Sequence, residues 1–408
     1  MKGCFGQKFR KPFLLMRRKI LSLMRRFVEQ LLLYFSLLVK PRCGLIVFSM
    51  SRGRYWDNSR ALFEYVFDNH KNKLEVIWLA DPDLDVEIIP EKFRNKVVAR
   101  NSIQGLFFCF RANFAIISHG FGDFGLYRRV AKRKAVINLW HGVGIKSLGL
   151  LDEKFNNKLK KKYISNEAAY YDQLICSSDI DRYYSASYTG MDVDAVKVTG
   201  LPRNDRLFAA GHTEEVKNEG FSILYAPTFR DFEVAGGSLI FPFPHDAASL
   251  AAWCRDVGIR FILRPHPNDS GSVHHARILH EEYPGMFVDG SVSRTPDVMD
   301  LLICCDGIVT DYSSTYIDGL ILDRPVTFVD YDRDRYMEMR GLAYDYELIT
   351  PGPKVRTLEG FQAACEEMKE GAPAWAEHRE FVRKMFFKHR DGNACFRVTK
   401  LIEGMISQ

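Results

Sequence analysis

Three short motifs in this 408-residue chain combine histidine, arginine and hydroxyl side chains, the groups that proteins use to bind phosphate. Each motif directly follows a short apolar run typical of a buried strand. The motifs are Trp140-His141-Gly142, Arg264-Pro265-His266-Pro267 and Thr310-Asp311-Tyr312-Ser313-Ser314. Ligands of open α/β sheets bind beyond the carboxyl ends of the strands. The three motifs therefore predict one phosphate-binding cleft between two α/β domains.

The first motif follows an apolar run at 136–140. Gly142 would allow the backbone to approach a ligand closely, and Lys146 offers a point charge suited to phosphate. His141, whose ordinary pKa is about 6.5, could take a proton from an attacking hydroxyl. A lone loop histidine is more often a structural hydrogen-bonding residue, so both interpretations stay open at this point.

The second motif places His266 between two prolines, which restrict the local backbone. Arg264 and His266 could both donate hydrogen bonds to phosphate oxygens. Protonated His266 could also stabilise the charge that develops on a departing phosphate. The alternative is a rigid turn whose histidine faces solvent.

The third motif joins an apolar run at 307–311 to a predicted helix that continues through Ile321. Ser313 or Ser314 would cap the start of this helix, where free backbone amides bind anions. Most capped helices bind no anion. The prediction therefore depends on the position of this motif at a strand end, beside the other two motifs.

Downstream, Asp330 and Asp332 follow another apolar run, and Arg340 precedes a Pro-Gly-Pro turn. Carboxylates at a strand end could accept hydrogen bonds from ribose or glycerol hydroxyls, although such residues also form ordinary turns. The chain has no G-x-x-x-x-G-K-[ST] loop, and its His274-His275 pair lacks further ligands at usable spacing. We therefore expect no metal site.

Short apolar runs alternate with polar helical stretches along most of the chain, which predicts parallel sheets covered by helices. The length and the 47% hydrophobic content suit two domains, at 43–211 and 218–408, joined by a polar linker at 212–220. The last helical segments could pack back across both domains. Nine cysteines without a C-x-x-C spacing indicate reduced thiols and a cytoplasmic protein.

Residues 1–40 form a basic arm with ten Lys and Arg residues against one acidic residue, Glu29. The arm carries +9, so the remaining 368 residues carry −3, which argues against nucleic-acid binding. Apolar residues recur in the arm at helical spacing, which favours a helix lying on an anionic membrane surface. They are Ile20, Leu23, Met24, Phe27, Leu31, Tyr34 and Leu38. The alternative is a helix packed on the protein's own body.

Seven segments, taken in order, resemble the CDP-glycerol glycerophosphotransferase family. The segments are 140–146, 226–231, 264–267, 310–314, 324–325, 330–332 and 340–353. The resemblance extends from about residue 43 to about residue 390, and the ordered set is far more specific than any single segment. The chain departs from the family at Val143, where threonine is common, and so lacks any contact from that hydroxyl.

The resemblance implies two Rossmann-like domains that face a central cleft, as in glycosyltransferase-B enzymes, preceded by the basic amphipathic helix. It implies transfer of glycerol phosphate from CDP-glycerol to a hydroxyl of a lipid-linked acceptor, with release of CMP, in synthesis of a teichoic-acid-like or capsular polymer. His141 and His266 would be the catalytic residues, and CDP-glycerol would be the donor, with no tightly bound cofactor. The implied substrate-binding residues are Gly142, Lys146, Thr228, Arg230, Arg264, Thr310, Asp311, Ser313, Ser314, Asp332 and Arg340.

The expected location is the inner face of the cell membrane, to which the protein would attach peripherally from the cytoplasm. Three alternatives stay open. The donor could be CDP-ribitol, the enzyme could be a nucleotide-sugar glycosyltransferase or epimerase of the same fold, or the chain could be a non-catalytic membrane adaptor.

Overall fold

The computed structural model describes residues 5–152, 158–210, 220–230, 240–243 and 245–407. Within these residues the chain forms two parallel sheets. The strands of the first sheet are β1 Leu45–Ser49, β2 Glu75–Ala80, β3 Val97–Ala99, β4 Phe114–Ile117, β5 Ala135–Asn138, β6 Gln173–Cys176 and β7 Val196–Val198. Those of the second are β8 Phe221–Tyr225, β9 Ile259–Leu263, β10 Phe287–Asp289, β11 Gly307–Thr310, β12 Val326–Val329 and β13 Lys354–Val355.

Helices surround both sheets. They are α1 Phe5–Ser36, α2 Asp57–His70, α3 Glu91–Arg94, α4 Ile103–Arg111, α5 Arg128–Ala131, α6 Lys158–Ala168, α7 Asp179–Thr189, α8 Asp205–Ala210, α9 Ala247–Val257, α10 Ser270–Glu282, α11 Val298–Cys304, α12 Thr315–Gly319, α13 Arg333–Met339, α14 Tyr346–Ile349, α15 Leu358–Lys369, α16 Ala376–Phe386 and α17 Ala394–Ser407. The central strands are buried along their whole length, as expected for parallel strands covered on both faces.

Both sheets have the strand order of a doubly wound fold. The first runs β3-β2-β1-β4-β5-β6-β7 and the second β10-β9-β8-β11-β12-β13. The order reverses between β1 and β4 and between β8 and β11, and crevices for ligands form at such points. The predicted fold of two Rossmann-like domains is therefore confirmed.

The two domains share contacts around the cleft. One continuous apolar core includes strands of both sheets and residues of α16 and α17. Helix α17 packs against α2 of the first domain, where Glu403 pairs with His70 at 3.2 Å. Backbone amides at the start of α17 donate to the Asp205 carboxylate at 2.8 Å. The chain thus returns from the second domain to the first.

Helix α1 packs on the first domain through polar residues and through Leu32, which contacts the apolar core. The fully buried Glu29 accepts hydrogen bonds of 2.9 Å from Arg25 and from Arg128 of α5. Gln30 accepts from Arg129 at 2.6 Å. Large apolar side chains of the same helix face outward, and Phe27 is 65% exposed. Over the described residues, no helix combines the length and apolar character needed to cross a bilayer.

The apolar runs of the sequence correspond to strands, with differences at their ends. In the run at 136–140, the strand ends at Asn138, because the chain turns sharply at Trp140. The short edge strand β13 was not predicted. The helix predicted through Ile321 ends at Gly319 and continues as a 3₁₀ turn. The predicted linker falls mainly on residues 211–219, which lie outside the described residues.

Candidate active site

His141 lies in the loop after β5, between the rings of its neighbours. Its imidazole stacks on that of His119 with centroids 4.2 Å apart and contacts the Trp140 ring at 4.1 Å. The His141 Nδ1 lies 3.2 Å from the carbonyl oxygen of Ser118. Because a carbonyl oxygen only accepts hydrogen bonds, Nδ1 carries the proton of the neutral ring and Nε2 keeps its lone pair.

The surroundings of this histidine pair favour the neutral rings. Burial lowers the pKa of His141 below its ordinary value, although the Asp57 carboxylate acts in the opposite direction. Partial desolvation, together with His141, also lowers the pKa of His119, although one face of that ring is exposed. At neutral pH the His141 ring is therefore uncharged, the state that a general base requires.

Arg203 connects the His141 loop to both domains. This buried side chain donates to the His141 carbonyl oxygen at 2.9 Å and to Asp57 at 3.1 Å. It also donates to Asp318, in α12 of the second domain, at 2.6 Å. Burial disfavours the cation, but the Asp318 and Asp57 carboxylates outweigh burial and raise the pKa of Arg203. This charged network fixes the loop relative to the second domain.

The His141 loop approaches the second domain at two points. At Gly142 the backbone φ is 140°, and a Cβ atom there would lie 2.8 Å from the Arg203 guanidinium and 3.7 Å from the Ser314 Oγ. A larger residue would push these groups apart. Further along, Lys146 forms an antiparallel bridge with Leu342. Three predicted residues, Gly142, Lys146 and Ser314, therefore lie where the domains meet.

His266 follows β9 and is more exposed than His141. Its ring stacks on Phe229 with centroids 5.3 Å apart, and its Nδ1 accepts a 3.2 Å hydrogen bond from the Asn268 amide. The proton of the neutral ring is therefore on Nε2, where it can be donated to a ligand. Partial burial, and then the positive charge of Lys146, lowers the pKa of His266. Lys146 thus lies within electrostatic reach of His266.

An ion-pair network holds the loops after β8, β11 and β12 together. Arg230 donates to Asp332 at 2.6 and 3.1 Å and to Asp311 at 2.8 Å. Asp311 also accepts a 2.9 Å hydrogen bond from the Thr228 amide. Asp332 accepts from the Tyr312 hydroxyl at 3.1 Å. These predicted substrate-binding residues contact one another, so their geometry shapes the crevice at the switch point.

Arg264 and Thr310 bond to backbone carbonyls. The Arg264 guanidinium donates to three carbonyl oxygens of the loop 290–296, and burial lowers its pKa to about 10. The Thr310 hydroxyl donates to the Ala226 carbonyl oxygen at 2.8 Å. Both side chains hold neighbouring loops in place.

Ser314 stands at the start of α12, but its hydroxyl makes no capping hydrogen bond within the described part of the chain. The Ser313 hydroxyl lies 3.0 Å from that of Thr315. Both serines are half-buried beside the His141 loop. Their hydroxyls and the first amides of α12 could therefore contact an anion in the cleft.

Five of the predicted residues line two cavities of the cleft. Thr228, Arg230, Asp311 and His266 line one small crevice. Arg340 lines a second cavity, of about 670 Å³, between the two domains. Among the described residues, no three His, Cys, Asp or Glu side chains are placed to hold a metal ion.

The sequence analysis missed several residues that build this site. His119 and Arg203 follow β4 and β7, so the strand-end rule that selected His141 could also have selected them. Asn58 donates to two carbonyl oxygens of residues 139–140, at 3.1 and 3.0 Å. Asp57 and Asp318 matter through Arg203, and no spacing in the sequence connects these three residues.

Curated proteins are similar to this chain over most of its length. A teichoic acid glycerol-phosphate transferase of Staphylococcus aureus (strain NCTC 8325 / PS 47) is 28% identical, over 90% of this chain and 95% of that protein. A teichoic acid ribitol-phosphate primase of Bacillus spizizenii (strain ATCC 23059 / NRRL B-14472 / W23) is 24% identical, over 89% and 91% respectively. The chain spans about half, 52%, of a 28% identical teichoic acid poly(glycerol phosphate) polymerase of Staphylococcus epidermidis.

Solved structures share the fold. The wall teichoic acid polymerase TagF superposes with a TM-score of 0.80 at 24% identity, over 99% of both chains. A UDP-GlcNAc 2-epimerase from Neisseria meningitidis superposes with a TM-score of 0.52 at 11% identity, over 90% of this chain and 100% of that one. The two-domain architecture is therefore common to enzymes with different chemistry.

The match to a protein family is more specific than the shared fold. The family described as CDP-Glycerol:Poly(glycerophosphate) glycerophosphotransferase matches residues 32–404, a range that contains every residue of the cleft described above. The chain therefore belongs to the CDP-glycerol:poly(glycerophosphate) glycerophosphotransferase family.

Proposed function

We propose that the protein transfers glycerol phosphate from CDP-glycerol to a hydroxyl of a lipid-linked acceptor, in synthesis of a teichoic acid or a capsular polymer. The observation that carries the proposal is that the His141 loop meets the second domain twice, at Gly142 beside Ser314 and at Lys146 opposite Leu342. The family match and the similar transferase of Staphylococcus aureus support CDP-glycerol as the donor.

In this reaction the acceptor oxygen attacks the phosphorus that carries the glycerol, and His141 Nε2 takes the hydroxyl proton. A P–O bond forms to the acceptor while the P–O bond to CMP breaks, and CMP leaves with the bonding electrons. Burial keeps His141 neutral, and the Ser118 carbonyl orients its ring. A positioned general base of this kind contributes about 10²- to 10⁴-fold in rate.

The second domain would hold the diphosphate of the donor. His266 can donate from Nε2, and Lys146 adds a positive charge beside it. Ser313 and Ser314 offer hydroxyls at the domain boundary. Arg230 and Arg264 would act mainly through the loops they hold, because carboxylates and carbonyls already occupy their guanidinium groups.

Helix α1 would attach the protein peripherally to the cytoplasmic face of the membrane. Its polar residue Glu29 is buried against the first domain, whereas Leu23, Met24 and Phe27 are each at least 60% exposed. A helix packed on its own protein normally buries its apolar face. In α1, Leu32 packs inward but most large apolar side chains are exposed. These exposed side chains, together with the arginines of the arm, fit an anionic bilayer surface.

CDP-ribitol is the second candidate donor, because the chain also covers 91% of a ribitol-phosphate primase. The two donors differ only in the polyol, and both would release CMP. A nucleotide-sugar enzyme of the same fold would release a different nucleotide.

The test incubates the full chain with CDP-glycerol, CDP-ribitol or UDP-sugars and a lipid-linked acceptor, and weighs the products by mass spectrometry. We expect CMP and an acceptor heavier by one or more glycerol phosphate units. Product formed only from CDP-ribitol would select the second candidate. Vesicle binding without turnover of any donor would indicate a membrane adaptor.

A further inference from the structure

A cavity of about 520 Å³, here called the aromatic chamber, lies inside the first domain against the two rings that contact His141. His119 and Trp140 form part of its wall. Its other aromatic lining residues are Tyr163, Tyr171 and Tyr188. Flat aromatic faces combined with a few polar groups are typical of sites that bind an uncharged polar molecule such as a sugar or polyol.

The chamber adjoins a second cavity, of about 950 Å³, here called the basic cleft. Tyr163 and Glu167 line both cavities. The cationic side chains of the basic cleft are Arg26, Arg128, Arg129, Lys132 and Arg133. Two carboxylates offset part of this charge, because Glu29 pairs with Arg128 and Glu167 with Lys132. A positive excess is left where α1 meets the first domain, which suits phosphate groups.

We infer that the two cavities together form the acceptor site, a reading that rests on the proposed function. The aromatic chamber holds the sugar or polyol end of the acceptor, so that its terminal hydroxyl lies toward His119 and Trp140, the two rings that contact His141. The basic cleft holds the diphosphate that joins the glycan to its lipid. The exposed apolar face of α1 then lies on the side from which the lipid tail enters.

The arrangement favours a lipid-linked acceptor over an ordinary anionic lipid as the occupant of the basic cleft. An ordinary lipid headgroup would use the cationic side chains but would leave the aromatic chamber without a ligand. A lipid-linked glycan contacts both cavities at once, because they share Tyr163 and Glu167.

The first measurement is binding of a soluble acceptor analogue, a disaccharide on a short-chain alkyl diphosphate, by calorimetry without donor. Tyr163→Ala removes an aromatic face from the wall that both cavities share and should weaken binding by about 2- to 10-fold. The double variant Arg26→Gln/Arg133→Gln should weaken it at least 10-fold at low salt, and less at high salt. Tyr283→Ala and Arg255→Gln, both in the second domain, are matched controls and should bind like wild type.

The second measurement is the KM of each substrate. The chamber and cleft variants should raise the KM for the acceptor analogue by the same factors and leave the KM for CDP-glycerol within 2-fold. If the wild-type protein turns over and both variants keep its KM for the acceptor analogue, the inference is overturned and the proposed function stands. If the variants bind the acceptor analogue more weakly but the wild-type protein shows no turnover, the result supports the acceptor site and rejects the proposed function.

Vesicles separate the two possible lipid sources. Phosphatidylglycerol vesicles without acceptor should bind the Arg26→Gln/Arg133→Gln variant only modestly less than wild type, because other arginines of α1 stay in place. A large loss of vesicle binding with unchanged affinity for the soluble analogue would assign the basic cleft to ordinary anionic lipid. That result would overturn the inference for the cleft.

Discussion

The two sides of the cleft hold their histidines by different means. In the first domain, His141 is packed between the rings of His119 and Trp140, and burial lowers its pKa. In the second domain, His266 is exposed on one face, stacks on Phe229 alone and lies near the charge of Lys146. The first environment favours a neutral proton acceptor, whereas the second is open to a charged ligand.

The difference extends to the residues behind each histidine. Behind His141, a single arginine, Arg203, bonds to the loop backbone and to carboxylates of both domains. Behind His266, Arg230 links Asp311 and Asp332 within one domain. The first network therefore fixes the relation between the domains, and the second fixes only the shape of the donor crevice. This contrast predicts different consequences when each part is altered.

The largest expected effect is loss of turnover when either imidazole is removed. We expect His141→Ala to lower kcat by about 10²- to 10⁴-fold with a nearly unchanged KM for CDP-glycerol, because a base acts in the transition state. His266→Ala should lower kcat by about 10²- to 10³-fold and also raise the KM for CDP-glycerol, because it contacts the bound diphosphate. Steady-state kinetics with varied donor measure both.

Circular dichroism of both variants checks that the fold is retained. His280→Ala, in α10 of the second domain, is a matched histidine control and should keep normal turnover. Full activity in His141→Ala or His266→Ala would remove the role assigned to that residue. Identical changes in kcat and KM for both variants would remove the contrast between the two sides.

The second prediction concerns folding stability. Arg203→Met leaves the partly buried Asp57 carboxylate and the buried Asp318 carboxylate without their cation, which typically costs about 3–5 kcal/mol. The midpoint of urea unfolding should fall accordingly, and turnover should fall because the His141 loop loses its anchor. Arg203→Lys keeps the charge and should be intermediate. A free energy of unfolding within about 0.5 kcal/mol of wild type, the range of ordinary surface substitutions, would show that the network does not stabilise the fold.

The local features on both sides of the cleft could be predicted from the sequence, whereas the contacts between distant residues could not. The strand ends that carry His141, His266 and Ser314 were predictable, because apolar runs and turn residues are local signals. The partners of Arg230 and Arg203 were not predictable, since they lie 62 to 146 residues away and depend on strand order. Arg264 was predicted to bind phosphate, yet its guanidinium bonds to carbonyl oxygens that no motif marks.

The third prediction uses pH to separate the two histidines. His141 must be neutral to accept a proton, and its lowered pKa keeps it neutral above pH 6.5. Activity should therefore stay constant from pH 8 to about 6.5 and fall only at lower pH, as the ring becomes protonated. His266 can donate from Nε2 as a neutral ring, so we expect no decline on the alkaline side. The pH profile of kcat/KM measures both limits.

A loss of activity on acidification that begins above pH 6.5 would contradict the neutral state of His141. A decline between pH 6.5 and 8 would show that His266 acts as a cation, stabilised by the bound diphosphate. In that case His266→Gln, which can donate but cannot be protonated, should lose the alkaline limb together with most of the activity.

The smallest expected effect is at Ser314. Its hydroxyl makes no capping hydrogen bond within the described residues, so Ser314→Ala should change the free energy of unfolding by less than about 0.5 kcal/mol. The same change at Thr357, whose hydroxyl accepts from the Gly360 amide at 3.2 Å, should cost about 1 kcal/mol. If Ser314 contacts the donor, its variant raises the KM for CDP-glycerol by roughly 2- to 10-fold, the value of one hydrogen bond, while Thr357→Ala leaves it unchanged. A stable Ser314→Ala protein with normal KM would confine the donor site to His266 and Lys146, because the Ser314 loop would then approach His141 without touching the substrate.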